Sequence, residues 1–173
     1  HLNMVDKEGR KQGTWKLYDD DGNLKFAGEY LNGLPVGTLK FYYPNGKIKA
    51  LVSQAENGRV TRTENFYENG RRMASGKYLD KQKDSTWLYF NEEDTTLAAE
   101  ENYRAGIKEG IWKTYYPDGQ VADEVTYFND KKEGPWTQYF TDGKVKTKGT
   151  YISDLLEGQF TVFYMNGMVE ISG

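Results

Sequence analysis

The chain has 173 residues, of which 37% are hydrophobic and 15% aromatic, and its formal net charge is -3. Acidic and basic residues are interspersed without a basic stripe, so neither nucleic acid nor an acidic membrane surface is an expected partner. No apolar run approaches the roughly 18 residues that a transmembrane helix requires, and we expect a soluble protein whose core relies on Tyr, Trp and Phe.

Residue types that commonly serve in catalysis or metal binding are scarce. The chain has no cysteine, which excludes disulfides, thiolate nucleophiles and cysteine-based metal sites. Its single histidine is His1, at a terminus, where neither a general base nor a zinc ligand is expected. We therefore predict that the protein is not an enzyme and binds no cofactor and no metal.

The start of the chain bears on its compartment. It begins with His1 rather than Met, so we expect a processed or truncated start that has lost any targeting segment. The compartment is left open, with a periplasmic or extracellular location favoured over a cytoplasmic one.

One short aromatic phrase recurs along the chain. It reads TWKLYDDDGNL at 14–24, TLKFYYPNGKI at 38–48, IWKTYYPDGQV at 111–121 and PWTQYFTDGKV at 135–145. Aligning these phrases gives a period of 24 residues, with one single-residue insertion in NEEDT at 91–95. A fixed period of this length indicates a repeat architecture. The repeats begin near Gly13, Gly37, Thr61, Ser85, Gly110, Gly134 and Gly158.

Three columns of side chains recur in these repeats. The third position holds Trp15, Leu39, Thr63, Trp87, Trp112, Trp136 and Phe160. The sixth position is always aromatic, with Tyr18, Tyr42, Phe66, Phe90, Tyr115, Tyr139 and Phe163. Most repeats end in a tyrosine, at Tyr30, Tyr78, Tyr103, Tyr127 and Tyr151, and Gln54 interrupts this column. The glycines two residues before such tyrosines, Gly28, Gly76 and Gly149, are expected at sites of close packing.

The DG and NG pairs predict hairpin turns. In YYPDGQ, Pro117 suits the first central position of a type I turn, which the left-handed Gly119 would follow. Such a three-residue loop sets Tyr115 opposite Val121. The same register pairs Tyr18 with Leu24 and Tyr139 with Val145. The second link of each repeat, such as Tyr127 to Gly134, is predicted to be a solvent-facing polar loop.

Two strands per repeat, joined by short links, allow only neighbouring strands to pair. We predict an all-β fold: an elongated single antiparallel meander sheet of about fourteen strands, built of seven β-hairpin repeats. The chain 1–173 is expected to be one repeat domain, with a partial repeat at 1–12. The third and sixth positions differ by an odd number, so their side chains point to opposite faces unless a bulge lies between them. We expect a bulge or strong local twist rather than aromatic residues on both faces.

Clustered carboxylates offer an alternative reading of one turn. Asp19, Asp21 and Asn23 alternate in YDDDGN, as at the start of a calcium loop. Position 12 of such a loop requires Glu but is Tyr30 here. We therefore expect a plain hairpin turn and predict that calcium leaves stability unchanged.

The pattern Y-x-N-G-x-x-x-G-x-W, followed by a DG turn, resembles the MORN repeat in its bacterial variant form. The match is clearest at 30–37, 103–112 and 127–136 and is weakest at 61–84, where Thr63 replaces Trp and Asp80-Lys81 replaces Asn-Gly. The resemblance implies a binding or scaffold module. Bacterial relatives are often labelled antitoxin components of toxin–antitoxin systems, which implies protein binding rather than chemistry.

We predict a non-catalytic scaffold that binds another protein, with an antitoxin-like role as one form of it. The alternative is a cell-wall or carbohydrate-binding module, because choline-binding repeats also combine WYY-type phrases with DG turns. In those repeats an aromatic cage holds a quaternary ammonium by cation–π contact. They resemble a shorter unit with more tryptophan than the four in this chain.

The candidate partner-binding surface lies on three consecutive repeats. Trp87, Trp112 and Trp136 mark them, and tryptophan is the residue type that most often dominates binding energy. Tyr116 and Phe140 complete the candidate set. The alternative role for the same tryptophans is packing within the sheet. Open strand edges at the two ends of the chain, at His1 and Gly173, also predict self-association.

Overall fold

The computed structural model describes residues 1–55 and 58–172, and over these residues the fold is all-β, as predicted. Packing of Cα atoms divides the chain into two compact units, His1–Gln82 (unit 1) and Lys83–Gly173 (unit 2). Gly173 lies outside the described residues. The expectation of one repeat domain stays a prediction.

The strands are short and evenly spaced. Unit 1 contains β1 (Met4–Val5), β2 (Lys11–Tyr18), β3 (Leu24–Leu31), β4 (Leu34–Tyr42), β5 (Ile48–Ala55), β6 (Val60–Phe66) and β7 (Arg72–Leu79). Strand β8 (Gln82–Phe90) begins at the boundary. Unit 2 continues with β9 (Leu97–Arg104), β10 (Ile107–Lys108), β11 (Gly110–Tyr115), β12 (Val121–Phe128), β13 (Lys131–Tyr139), β14 (Val145–Ile152), β15 (Leu155–Phe163) and β16 (Val169–Ser172). None of the described residues forms a helix that could cross a bilayer.

Strand order follows chain order in one open antiparallel meander, which confirms the predicted topology. The described residues form 16 strands rather than about fourteen. One additional strand is β1, from the partial repeat. The other arises because a predicted strand is split into β10 and β11 at Glu109, just before Gly110 adopts a left-handed φ of 79°. The number of repeats, seven, stays a prediction.

The DG turns have the predicted geometry. The amide of Gly119 donates to the carbonyl of Tyr116 at 2.9 Å, and the φ of Gly119 is 87°. Tyr115 pairs with Val121, as predicted, directly after a register shift between Thr114 and Tyr115. The predicted pairs Tyr18 with Leu24 and Tyr139 with Val145 are also present.

The second link, predicted as a polar loop, is a two-residue type I′ turn. Asn32 and Gly33 have φ angles of 51° and 82°, and Leu31 pairs with Leu34 across them. Strand pairing therefore continues almost to the turn. The same left-handed conformation occurs at pairs that lack glycine: Asp80-Lys81, Asn129-Asp130 and Ser153-Asp154.

Where a repeat begins with a left-handed residue, the strand pairing shifts register a second time, shortly after the type I′ turn. Gly134 has a φ of 102°, and the pairing of β12 with β13 shifts there, from Tyr127–Lys132 to Val125–Trp136. Thr61 does not adopt this conformation, and β5 pairs with β6 without a shift.

The predicted bulge between the Trp and Tyr columns is present, but the two columns still lie on opposite faces of the sheet, so the expectation that it would spare one face is wrong. The indole of Trp136 donates to Asp123 at 2.9 Å, whereas the hydroxyl of Tyr139 donates to Glu124 at 3.2 Å. Side chains of adjacent residues on β12 point to opposite faces. A register shift does occur before Tyr139, but the extra residue, Lys146, lies on the following strand. Strand β13 therefore keeps its alternation, and both faces carry aromatic residues.

Few side chains are fully buried. Among the described residues, the buried apolar side chains are Phe26, Leu39, Ala74 and Trp87. A Cβ at Gly28 would lie 2.5 Å from Leu39 Cδ2, and a Cβ at Gly149 would lie 2.9 Å from Leu156 Cδ1. The predicted close packing is confirmed at these two glycines.

Candidate functional site

Four repeats share a motif, Lys-x-Gly/Ser-x-Trp, that spans the turn-side end of a strand. It begins at Lys11, Lys83, Lys108 and Lys132 and ends at Trp15, Trp87, Trp112 and Trp136. Where the third position is not Trp, the lysine position holds Pro35, Arg59 or Leu156. This lysine column was not among the predicted site residues, although the coincidence of Lys with Trp is visible in the sequence.

Trp112 shows what the motif builds. Its ring lies between Tyr103 and Tyr127, with centroid distances of 5.2 Å and 4.8 Å. Its indole N–H donates to the carbonyl of Asn102 at 2.9 Å. The Nζ of Lys108 lies 4.6 Å from the Trp112 ring centroid and 5.0 Å from that of Tyr127. These distances lie within the range of cation–π attraction.

The other copies repeat this arrangement of Lys, Trp and Tyr. The Nζ of Lys11 lies 4.6 Å from the ring centroid of Trp15 and 4.7 Å from that of Tyr30. The Nζ of Lys132 lies 4.8 Å from the ring centroid of Tyr151. The ring centroids of Tyr151 and Trp136 are 5.6 Å apart. Lys83 is close to three rings, those of Trp87, Tyr89 and Tyr103.

The second residue of the motif is an acceptor for the next type I′ turn. Glu109 accepts the amide of Asn129 at 3.3 Å, and Glu133 accepts that of Ser153 at 2.7 Å. Gln12 and Asp84 accept the amides of Asn32 and Ala105 in the same way. The motif thus satisfies a backbone donor that lies 20 or 21 residues further along the chain.

An open groove of about 350 Å³ lies on the tryptophan face of unit 2, the face that bears Trp112 and Trp136. Both indoles line it and both are half-buried. Its other lining residues include Tyr127, Tyr151, Val125, Gln138, Asp123 and Glu101. Lys113 and Lys132 also line it, so the groove combines aromatic walls with two carboxylates and two ammonium groups.

The structure places the predicted site residues in three different environments. Trp112 and Trp136 meet at the groove, whereas Trp87 is only 2% exposed. Tyr116 and Phe140 do not line this groove. The Tyr116 hydroxyl instead donates to the carbonyl of Tyr139 at 2.7 Å. Partner binding by all five residues stays a prediction.

Two tyrosines on opposite faces of unit 2 have strongly raised pKa values. Burial, together with a hydrogen bond to Glu101 at 2.7 Å, raises the pKa of Tyr103, next to Trp112. Burial and a hydrogen bond to Glu100 raise the pKa of Tyr115 to about 12. Both hydroxyls therefore stay protonated near neutral pH and serve as donors to carboxylates.

The Asp19 carboxylate closes the YDDDGN turn. Asp19 Oδ1 accepts the amides of Asn23 at 2.8 Å and Asp21 at 3.1 Å, and the amide of Asn23 is the main cause that lowers the pKa of Asp19. Over 1–55 and 58–172, no group of three His, Cys, Asp or Glu side chains is arranged to hold a metal ion. The calcium expectation stays a prediction, which a melting curve with calcium and with a chelator would test.

Comparison with known proteins relates these repeats to a family. The model of the MORN repeat variant matches residues 11–32, 35–54, 108–129 and 132–153. Three of these segments begin at a lysine of the motif, and the divergent repeat at 61–84 is not among them. A search of curated proteins found no match to the chain. The recurring hairpins and the four matched segments show that the chain belongs to the MORN repeat family, in its variant form.

Proposed function

We propose that the protein is a non-catalytic scaffold that binds another protein through the tryptophan face of unit 2. The observation that carries the proposal is the groove in which Trp112 and Trp136 lie side by side, half-buried and flanked by Tyr127 and Tyr151. Aromatic side chains held in fixed orientations are typical centres of protein interfaces. MORN repeats are generally non-enzymatic modules, which supports the non-catalytic part of the proposal.

The lysine column argues against the choline-binding alternative. A choline site presents open aromatic faces to a quaternary ammonium. In this protein Lys108 already places its ammonium against Trp112 and Tyr127, and Lys11 does the same at Trp15 and Tyr30. An external cation would have to displace a charge that belongs to the chain. An antitoxin-like role remains one form of the protein binding proposed here.

The test is a groove variant with a control on the other face. Gln138 lines the groove and Thr137, its neighbour on β13, points to the opposite face. Gln138→Arg should fill the groove and abolish capture of the partner from lysate by the immobilised chain. Thr137→Arg should leave the capture intact.

Two further arms separate the alternatives. Trp112→Ala should also abolish capture, and its melting curve shows whether the loss comes from the contact or from unfolding. Retention of the wild-type chain on choline resin or insoluble cell wall, without any captured protein, would contradict the proposal in favour of the cell-wall alternative. Equal capture by wild type and Gln138→Arg would remove the groove as the binding site.

A further inference from the structure

One position in unit 1 lacks the tryptophan and one of the two tyrosines that flank it elsewhere. The third position of the repeat that begins at Thr61 is Thr63, and the tyrosine column just before it holds Gln54. In unit 2 the equivalent space at Trp112 is filled by an indole between two tyrosine rings. The small side chain of Thr63 therefore leaves space on the face of the sheet that other repeats fill themselves.

An open groove of about 450 Å³ occupies this part of unit 1. Small side chains line it at Ala50, Val52 and Thr63, and Thr63 is buried. The lining residues with larger apolar side chains on this face are Phe41, Tyr43 and Met73. Tyr42 and Phe66 also line the groove, but their side chains belong to the sixth-position column of the opposite face. The groove is thus wide enough for a large side chain and is predominantly apolar.

The lining of this groove is held in place by hydrogen bonds within the protein. The Tyr43 hydroxyl donates to the carbonyl of Phe66 at 2.8 Å, and the Thr63 hydroxyl donates to Asn65 Oδ1 at 3.0 Å. Strands β5 and β6 pair in continuous register beneath it. A groove whose walls are already ordered loses little conformational entropy when it binds.

The charges at this groove have one sign. Its charged lining residues are Lys25 and Lys49, both exposed, and none of its described lining residues carries a carboxylate. Neither ammonium lies within 4.0 Å of a carboxylate of a described residue, although the charge of Lys25 helps to lower the pKa of Asp19. The Nζ of Lys49 lies 5.5 Å from the Tyr43 ring, at the wall of the groove. The groove of unit 2, by contrast, is lined by charges of both signs: Asp123, Glu101, Lys113 and Lys132.

We propose that the groove around Thr63 binds an acidic segment of a protein partner, with one large apolar side chain inserted next to Phe41 and Tyr43 and flanking carboxylates held by Lys25 and Lys49. The apolar lining selects the inserted side chain, and the two ammonium groups select its neighbours by charge. The groove is open rather than enclosed. An occupant anchored by its own main chain fits an open groove better than a free small molecule, which usually has most of its surface buried.

The test titrates a labelled pentapeptide, a central Phe between two pairs of Asp with blocked ends, into the full chain. Thr63→Trp places in the groove the residue that four other repeats carry at this position. This variant should weaken binding at least tenfold while the chain still unfolds cooperatively. If it does not fold, Ala50→Met fills the same space and should have the same effect.

Charge variants test the second half of the proposal. The pair Lys25→Glu and Lys49→Glu should also weaken binding at least tenfold. The matched pair Lys16→Glu and Lys40→Glu changes net charge equally on the other face of β2 and β4 and should leave binding within about twofold. Peptides with a central Ala, or with Lys in place of Asp, should bind at least tenfold more weakly than the parent.

Several results would overturn the proposal. They are no binding of the Asp–Phe peptide at millimolar concentration, equal binding of the lysine peptide, or unchanged binding by Thr63→Trp. Tighter binding of decanoate than of the peptide would assign the groove to a free amphiphilic acid instead. The proposal rests on the proposed function only in taking a protein as the partner. Absence of any capture from lysate would count against that function, whereas capture without peptide binding would count against this groove alone.

Discussion

The ammonium of Lys108 lies 4.6 Å from the centre of the Trp112 ring, four residues further along the chain. In a strand that continues without interruption, residues four apart are too distant for this contact. The left-handed Gly110 between them shortens the separation. The left-handed conformation of Gly110 and the cation–π contact are therefore coupled, and the motif Lys-x-Gly/Ser-x-Trp encodes both.

Replacing Lys108 with Met should lower the free energy of unfolding by about 0.5 to 1 kcal/mol, because it keeps the aliphatic stem but removes the charge from two aromatic rings. Urea unfolding followed by tryptophan fluorescence would measure the loss. Lys131→Met, at an exposed position next to the following turn, is the control and should change stability little. Equal effects of the two substitutions would show that the ring contact contributes nothing specific.

Glu133→Ala should lower the free energy of unfolding by about 1 kcal/mol, because it leaves the amide of Ser153 without its side-chain acceptor. Glu133→Gln should stay close to wild type, since Gln12 makes the same bond to Asn32 in another repeat. Glu157→Ala removes an equal charge from an exposed position of β15 and serves as the control. A loss with Gln as large as with Ala would assign the effect to charge rather than to the hydrogen bond.

Stability should fall as pH rises from about 10 to about 12, partly because of Tyr115. Burial and the Glu100 carboxylate raise the pKa of Tyr115 to about 12 in the folded chain, while an unfolded tyrosine ionises near 10. The unfolded state therefore loses the proton first, and the stabilisation present below pH 10 disappears through this window. Urea midpoints of wild type and Tyr115→Phe at pH 8, 10 and 12 should show a smaller alkaline loss in the variant. An identical loss would contradict the assignment.

Gly28→Ala should destabilise unit 1 by roughly 1 to 3 kcal/mol, because the added Cβ would lie 2.5 Å from Leu39 Cδ2 in a buried contact. The double variant Gly28→Ala with Leu39→Val should recover part of this loss, since the shorter side chain makes room for the methyl group. Thermal unfolding of the two single variants and the double variant measures the coupling. Strict additivity would show that the two residues do not press on each other.

Local turn chemistry allowed much of the fold to be predicted. Pro117 and Gly119 determine the turn, and the turn determines that Tyr115 pairs with Val121. The faces were wrong because the extra residue at each DG hairpin, such as Lys146, lies on the following strand. Nothing in the sequence of β13 alone reveals a bulge on its neighbour.

The candidate site was harder to predict than the fold. Trp112 and Trp136 do line one groove, but Trp87 is buried although it occupies the same column. Burial depends on which neighbouring side chains fill the space beside each ring, and a column of equivalent positions does not contain that information. The contacts of Lys108 depend on the left-handed conformation of Gly110. The pattern of residue types does not reveal that conformation, so the lysine position was interpreted as part of a polar loop.

The type I′ turns are joined to one another by backbone amides. The amide of Lys108 donates to Asp130, and the amide of Asn129 donates to Glu109, at 2.8 Å and 3.3 Å. A residue inserted in this turn would separate two main-chain donors from their acceptors. Insertions in the type I′ turns should therefore be selected against.

At the opposite ends of the strands, long side chains connect successive DG turns. Lys47 and Lys144 reach the carbonyls of Asn69 and Met165, and a flexible side chain can follow a turn that has moved. The insertion in the repeat pattern, NEEDT at 91–95, falls where other repeats have the DG turn, and the amide of Asn91 still donates to the carbonyl of Thr96. The two kinds of turn thus differ in how readily they accept inserted residues, and we expect new loops to be acquired at the DG turns.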